Sequence, residues 1–221
     1  MGRDREEIAD ESSRAHAPPM KTADAVFMPN RMTEDVFEQF AEVYDRWFDE
    51  HTAEYHAKLA RIRRLLPPPD SRAIEVGIGS GRFAAPLGIT LGIEPSSALG
   101  RIAQRRGIDI IRGRAEAIPV RDGSCSSVLM VTVICFLDDP VPACREIHRI
   151  LVPHGTLALG FIEREGRIAR KYLHEEGKHR FLSRARSSSP DEVQALLSNN
   201  GFRGITIDSH AGFSVIAARK G

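Results

Sequence analysis

The sequence predicts an α/β fold with a doubly wound, largely parallel sheet. Three observations carry that expectation. Short apolar runs of strand character recur seven times after residue 70. Stretches with helical spacing separate most of them, the pattern of βαβ units. One strand-to-helix turn carries closely spaced glycines at Gly77, Gly79 and Gly81. A chain of 221 residues can bury a full core without disulfide or metal staples.

Taken in order, residues 1–30 mix both charge signs with Pro18, Pro19 and Pro29 and show no apolar period. That predicts a tail. Thr33 can cap a helix. Val36, Phe37, Phe40, Val43, Tyr44, Trp47 and Phe48 then recur at helical spacing. A second helical run holds Tyr55, Leu59, Ile62, Leu65 and Leu66 and stops at Pro67, Pro68 and Pro69. After the prolines the period changes. Strands are expected over 73–76, 91–94, 108–111, 127–133, 156–162, 204–208 and 213–218. Helices are expected over 97–106, 141–151 and 190–199, the last closed by Gly201. No repeat or low-complexity linker interrupts the pattern, so residues 31–221 read as one domain.

Composition narrows the function. Lys plus Arg is 31 and Asp plus Glu is 30, a net charge of +1. A polyanion binder is usually more basic, so nucleic acid is disfavoured as a partner. Cys125, Cys135 and Cys144 are odd in number and contain no Cys-x-x-Cys pair. They suit a reduced, cytoplasmic chain without a zinc ribbon or other metal site. No run approaches the roughly 18 apolar residues of a membrane span.

The informative stretch runs from Glu75 through Gly77, Ile78, Gly79, Ser80 and Gly81 to Phe83. Glycines there allow a tight turn and let a ligand approach the backbone. A dinucleotide fingerprint would place its third glycine at position 82, which is Arg82. The pattern is instead G-x-G-x-G, with an acid two residues before the first glycine. A second acid, Glu94, closes the next strand. A carboxylate there can accept hydrogen bonds from both hydroxyls of a ribose, which indicates an adenosine-type ligand.

With these residues the chain resembles the class I S-adenosylmethionine-dependent methyltransferases. It is most similar to the small-molecule branch whose methyltransferase domain is of the type 11 kind. The resemblance runs from about Phe37 to Phe202 and rests on five motifs in order: 75–81, 92–96, 113–120, the strand 128–132 with its exit 133–140, and 145–157. It implies a Rossmann-like, seven-stranded, mostly parallel sheet with an antiparallel strand from the last hairpin. Two N-terminal helices over 31–66 would cap the cofactor cleft, and residues 163–189 would form a substrate lid.

The resemblance also implies S-adenosyl-L-methionine as cofactor. Gly77, Gly79 and Gly81 would let the backbone pass close to its methionine and ribose portion, with Glu75 leading the motif. Glu94 would hold the ribose hydroxyls. Ile78 and Pro95 would flank sugar or adenine, and Ala115 and Glu116 would lie at the adenine edge. Thr132 and Val133 would face the methionine side, and Tyr44 would cover the cofactor. Arg114 stands where the family often has an acid or small polar residue. Cys135 and Phe136 stand where many relatives carry histidines, so no catalytic base is assigned.

The sulfonium is already an activated methyl donor, so a base is required only for a protonated acceptor. The Asn/Asp-Pro-Pro-Tyr/Phe motif of nucleic-acid amino methyltransferases is absent after the fourth strand, as is a Pro-Cys nucleophile. The expected partner is therefore a small-molecule methyl acceptor, with no membrane partner. Competing readings are a nicotinamide oxidoreductase, a cofactor-binding protein without turnover, and a methyltransferase acting on RNA or protein.

Other residues have plainer readings beside functional ones. Cys135 suits a buried small hydrophobe as well as a site thiol. Asp138 and Asp139 before Pro140 suit a turn and helix cap better than a pair of bases. His148 and His154 read as structural. His174 and His179 lie in the expected lid, where either a solvated role or a general base fits. Between Glu163 and Arg186 basic residues outnumber acids. That suits an acceptor bearing carboxylate or phosphate, or simply a solvated face of mixed charge.

Overall fold

Pro67 to Pro69 divide the chain into a helical cap and a sheet. The computed structural model describes residues 31–174, 181, 185–186 and 188–221. The expected tail over 1–30 lies outside them, as do parts of the expected lid.

The cap has three helices, not two. These are α1 (Arg31–Gln39), α2 (Ala41–Glu50) and α3 (Thr52–Leu65). Phe40 leaves helical geometry at φ −119° and ψ 30°, although Tyr44 N–H still donates to its carbonyl at 2.9 Å. The bend lets Ala41 pack with Leu99 and Ile102 while Phe37 meets Tyr44 edge-on, 5.4 Å between centroids. Thr33 lies inside α1 rather than at its cap. On α3, Tyr55, Lys58, Leu59 and Ile62 share the buried face at i, i+3, i+4 and i+7.

The sheet follows as β1 (Ala73–Val76), β2 (Leu91–Glu94), β3 (Asp109–Arg112), β4 (Cys125–Val131), β5 (Leu151–Ile162), β6 (Phe202–His210) and β7 (Phe213–Lys220). Their spatial order is β3-β2-β1-β4-β5-β7-β6. β1 to β5 run parallel, and β7 enters antiparallel between β5 and β6. The fold is thus the expected seven-stranded α/β architecture. Strand order reverses at β1, which has β2 on one side and β4 on the other, so a crevice opens beyond their carboxyl ends.

Both faces of the central strands are buried, which explains their continuous apolar runs. Ile74, Val76, Val128 and Met130 join one core with Ile147, Ile150 and Phe202. Ala73, Leu129 and Val131 join the other with Leu59, Ile62 and Phe213. Among the described residues the remaining α-helices are α4 (Ala84–Leu87), α5 (Ser97–Arg105), α6 (Pro140–Ile150), α7 (Arg167–His174) and α8 (Pro190–Asn199). The helix after the glycine turn is only α4. Gly88, at φ 82°, caps it by donating to the Ala84 and Ala85 carbonyls. β4 stops at Val131, so Thr132 and Val133 belong to its exit. β5 begins five residues earlier than expected, because Leu151 already pairs with Cys125. α7 was not expected from the sequence.

Gly92 shows how closely β2 lies under the glycine turn. A Cβ there would overlap Ile78 Cδ1 and lie 2.7 Å from its Cγ2. Gly92→Ala is expected to lower unfolding free energy by about 1–3 kcal/mol through overpacking. Urea denaturation followed by circular dichroism checks this.

Candidate active site

The glycine turn takes its shape from three constraints. Gly77 has φ 68°, and a Cβ there would overlap Val133 Cγ2. The N–H groups of Gly77 and Ile78 both donate to the Ile93 carbonyl, at 2.8 and 3.1 Å. Gly79, at φ 58°, brings its backbone under the Tyr44 ring, where a Cβ would lie 3.4 Å from Cε1. Its N–H donates to Glu94 Oε2 at 2.7 Å, and the Ser96 N–H donates to Glu94 Oε1 at 2.9 Å. One buried carboxylate thus ties together the loops that follow β1 and β2.

Glu75 lies deeper. Its side chain is buried, and Oε2 has no hydrogen-bond partner among the described residues. Burial first, and the nearby Glu94 charge to a smaller degree, push its carboxyl well above the usual range, against a backbone hydrogen bond from Ala84. A buried orphan oxygen of this kind calls for a cationic or donor partner.

Arginines fasten the cap over the turn. Arg82 donates to Asp45 Oδ1 at 2.8 Å and to Asp49 Oδ1 at 2.7 Å. Arg106 donates to Asp45 Oδ2 and to the Ser80 carbonyl, both at 2.8 Å. Tyr55 on α3 donates to the Arg82 carbonyl at 2.5 Å. Arg82, in the place of a dinucleotide motif's third glycine, is therefore a clamp between α2 and the turn.

A cleft of about 790 Å³ opens at the carboxyl ends of β1, β2 and β4. Tyr44, Gly77, Gly79, Glu94, Pro95, Ala115, Glu116, Thr132 and Val133 all line it. Three other residues singled out from the sequence do not. Glu75 lies beneath it, Ile78 packs on Gly92, and Gly81 faces Ala103 and Ile108. Phe37, Ser96, Leu99, Phe136 and Leu137 line the cleft without having been singled out. Phe37 belonged to the aromatic stripe, whose spacing predicts a buried face but not what it covers. Arg114 also lines the cleft, 3.5 Å from Glu116 Oε1.

A second cavity of about 670 Å³ adjoins the first and shares Phe37, Tyr44, Thr132 and Phe136 with it. Trp47, Phe48 and Phe83 add aromatic walls, and Lys58 is also exposed to it. Phe181, from the expected lid, stacks on Phe37 with 5.2 Å between centroids and meets Tyr44 edge-on at 5.6 Å. Thr132, at the junction, holds φ 54°, a strained value for a β-branched residue. The Cys135 thiol donates to the Thr132 carbonyl at 3.2 Å, and burial pushes it up to about 12. Burial, with the Glu94 and Glu75 charges behind it, also raises the Tyr44 phenol. Both groups stay protonated at neutral pH.

Asp139 caps α6 by accepting from Val141 N–H at 2.9 Å, as expected of a turn. His148 packs edge-on against Phe202 in the core, away from the cleft. His154 stands in the turn within β5 at φ 62°. The side chains of His174 and His179 lie outside the described residues, as do Arg180 and Arg184. Among the described residues no group of three His, Cys, Asp or Glu side chains is placed to hold a metal, and no helix is long and apolar enough to cross a membrane.

This sheet order, with a cleft at the reversal point and a bridging acid at the end of β2, defines a class I methyltransferase architecture. Residues 74–159 match the methyltransferase-domain family. A Thermotoga maritima structure described as a SAM-dependent methyltransferase, "possible histamine N-methyltransferase", has a TM-score of 0.80 and 35% identity, covering 86% of this chain and 100% of that one. A Methanocaldococcus jannaschii protein of unassigned function is 33% identical over 171 residues, 77% of this chain and 82% of that protein. A mouse tRNA (carboxymethyluridine(34)-5-O)-methyltransferase is 26% identical over 171 residues, 73% of this chain and 25% of that protein. The chain belongs to the class I S-adenosylmethionine-dependent methyltransferases, and its cofactor is S-adenosylmethionine.

The clamp has a pH signature. Burial alone would raise Asp45, but hydrogen bonds from Arg82 and Arg106 outweigh it and hold the carboxyl at about 2. The unfolded value is about 3.9. Asp45 therefore contributes stability that is complete above about pH 5 and is lost as pH falls towards 2. Asp45→Asn is expected to cost about 1–2 kcal/mol at pH 7, with the gap to wild type closing between about pH 4 and 2. Urea midpoints across that range measure it.

Proposed function

We propose that this methyltransferase acts on a small-molecule acceptor held in the aromatic cavity. The carrying observation is that this cavity joins the cofactor cleft through Phe37, Tyr44, Thr132 and Phe136. Such a junction lets a donor and an acceptor meet while side chains exclude water.

The residues fit the cofactor. Glu75 Oε2, buried and unpartnered, suits the ammonium of its methionine portion. Glu94 accepts from the N–H groups of Gly79 and Ser96 and closes β2 at the cleft, the place where a carboxylate meets ribose hydroxyls. Gly77 and Gly79 leave their backbones open to close approach, and Gly81 keeps α5 packed against the turn. Pro95 flanks the sugar and adenine, Ala115 and Glu116 sit at the adenine edge, and Ile78 backs the turn from beneath against Gly92. Thr132 and Val133 bound the methionine side, and Tyr44 covers it. The bound sulfonium supplies the activated methyl group. Tyr44 and Cys135 hold their protons and take none. Among the described residues, this chain's part in the reaction is alignment and exclusion of water.

The mouse relative favours a second reading, transfer to an RNA nucleoside. The net charge of +1 weighs against it.

Calorimetric titration tests the cofactor assignments. S-adenosylmethionine and S-adenosylhomocysteine should both bind, and NADH should not. Glu94→Ala should weaken both sulfur ligands by about ten- to hundredfold, about 1.5–3 kcal/mol. No binding by folded wild-type protein overturns the assignments. S-adenosylhomocysteine release should appear with a panel of small aromatic amines, phenols and thiols. Release with total tRNA alone overturns the small-molecule reading.

A further inference from the structure

The aromatic cavity holds one charged group that methyl transfer itself does not use. Lys58 occupies the buried face of α3 and is 7% exposed. Its Nζ lies 5.1 Å from the Trp47 ring centroid and 5.2 Å from that of Phe213. Glu54 Oε1 accepts from Nζ at 2.6 Å, its one hydrogen bond among the described residues. Glu54 does not face the cavity, and its side chain keeps 32% exposure. Lys58 thus lines the cavity while its counter-ion stands outside the lining. Every other described lining side chain is aromatic, aliphatic or a neutral hydroxyl.

Burial lowers the Lys58 pKa, and the Glu54 contact works against that. An ammonium on an apolar wall, poorly screened by water, attracts an anion and repels a cation more strongly than one at the surface. A lysine kept only for packing would need no cavity against its head, because long side chains normally carry the charge out to solvent.

We propose that the acceptor is a small planar apolar molecule with one anionic end. Lys58 holds that end, and the methyl group goes to an atom at the other end, beside Thr132 and Tyr44. This rests on the small-molecule reading above and narrows its substrate class. The anion binds Lys58 by a charge-assisted hydrogen bond in addition to the Glu54 pair. The ring stacks among Trp47, Phe48 and Phe83.

Trp47 is the single tryptophan of the chain and lines the cavity, so its emission reports occupancy. The probes are 3-phenylpropanoate, 3-phenylpropanamide and 3-phenylpropylamine, titrated with S-adenosylhomocysteine at saturation. The acid should change Trp47 emission saturably and bind at least about tenfold tighter than the amide or the amine. Lys58→Met should bring the acid down to the level of the amide, and Lys58→Arg should keep most of the preference. Equal affinity for acid and amide, preference for the amine, no saturable binding of the acid, or a preference retained in Lys58→Met overturns the proposal. Calorimetric S-adenosylhomocysteine binding by the same samples separates the failures. If wild type binds it without preferring the acid, only the acceptor class falls. If folded wild type does not bind it, the cofactor assignments fall and this proposal with them.

Discussion

The Glu94 carboxylate is the interaction on which the cleft depends. It stands at the end of β2, and each of its oxygens takes one backbone N–H from a different crossover loop. Without it, the turn after β1 and the turn into α5 would leave two buried donors unsatisfied. The two loops would also lose their spacing. That spacing decides everything above it. Gly79 is held under Tyr44, and the cap can approach only because no side chain intervenes. The arginine clamp then closes the cap from outside, through Asp45 and Asp49. Acid chemistry holds the floor of the site, and ion pairs hold its roof.

Much of this was legible in local sequence because local sequence causes it. Both faces of β1 and β4 are buried, so their residues had to be apolar without alternation. The G-x-G-x-G spacing had to leave room for Val133 and Tyr44. Glu94 had to be an acid because two N–H groups converge on it. Where expectation and structure differ, the cause is tertiary. Phe40 carries no breaker signal, yet the chain bends there to lay α1 along α5. β5 starts early because Leu151 finds Cys125 on a neighbouring strand. The helix after the glycine turn is short for a reason that was visible in Pro86 and Gly88.

Lys58 marks the limit of such reading. The apolar positions Tyr55, Leu59 and Ile62 place it on the buried face of α3, so the signal was a lysine in an apolar stripe. Periodicity could not say what lay opposite. The rings around its head come from α2 and from β7, a strand more than 150 residues further along. The residues lining the first cleft cluster in short motifs because one loop after each strand reaches it. The residues lining the aromatic cavity are gathered from α1, α2, α3 and the exit of β4 among others, and only the fold brings them together.

The distribution of charge along the site gives that difference a chemical meaning. Glu94 and Glu116 line the first cleft beside Arg114, and Glu75 lies beneath it, so acids outnumber bases there. The described lining of the adjoining cavity presents one ammonium. Between them, Phe37, Tyr44, Thr132 and Phe136 form an uncharged junction. A cationic sulfur centre is favoured on the first side and disfavoured on the second, so the two ligands would sort themselves by charge before any side chain selects their shape. Burial keeps the Tyr44 phenol in that junction protonated, so it adds no charge between the two sides.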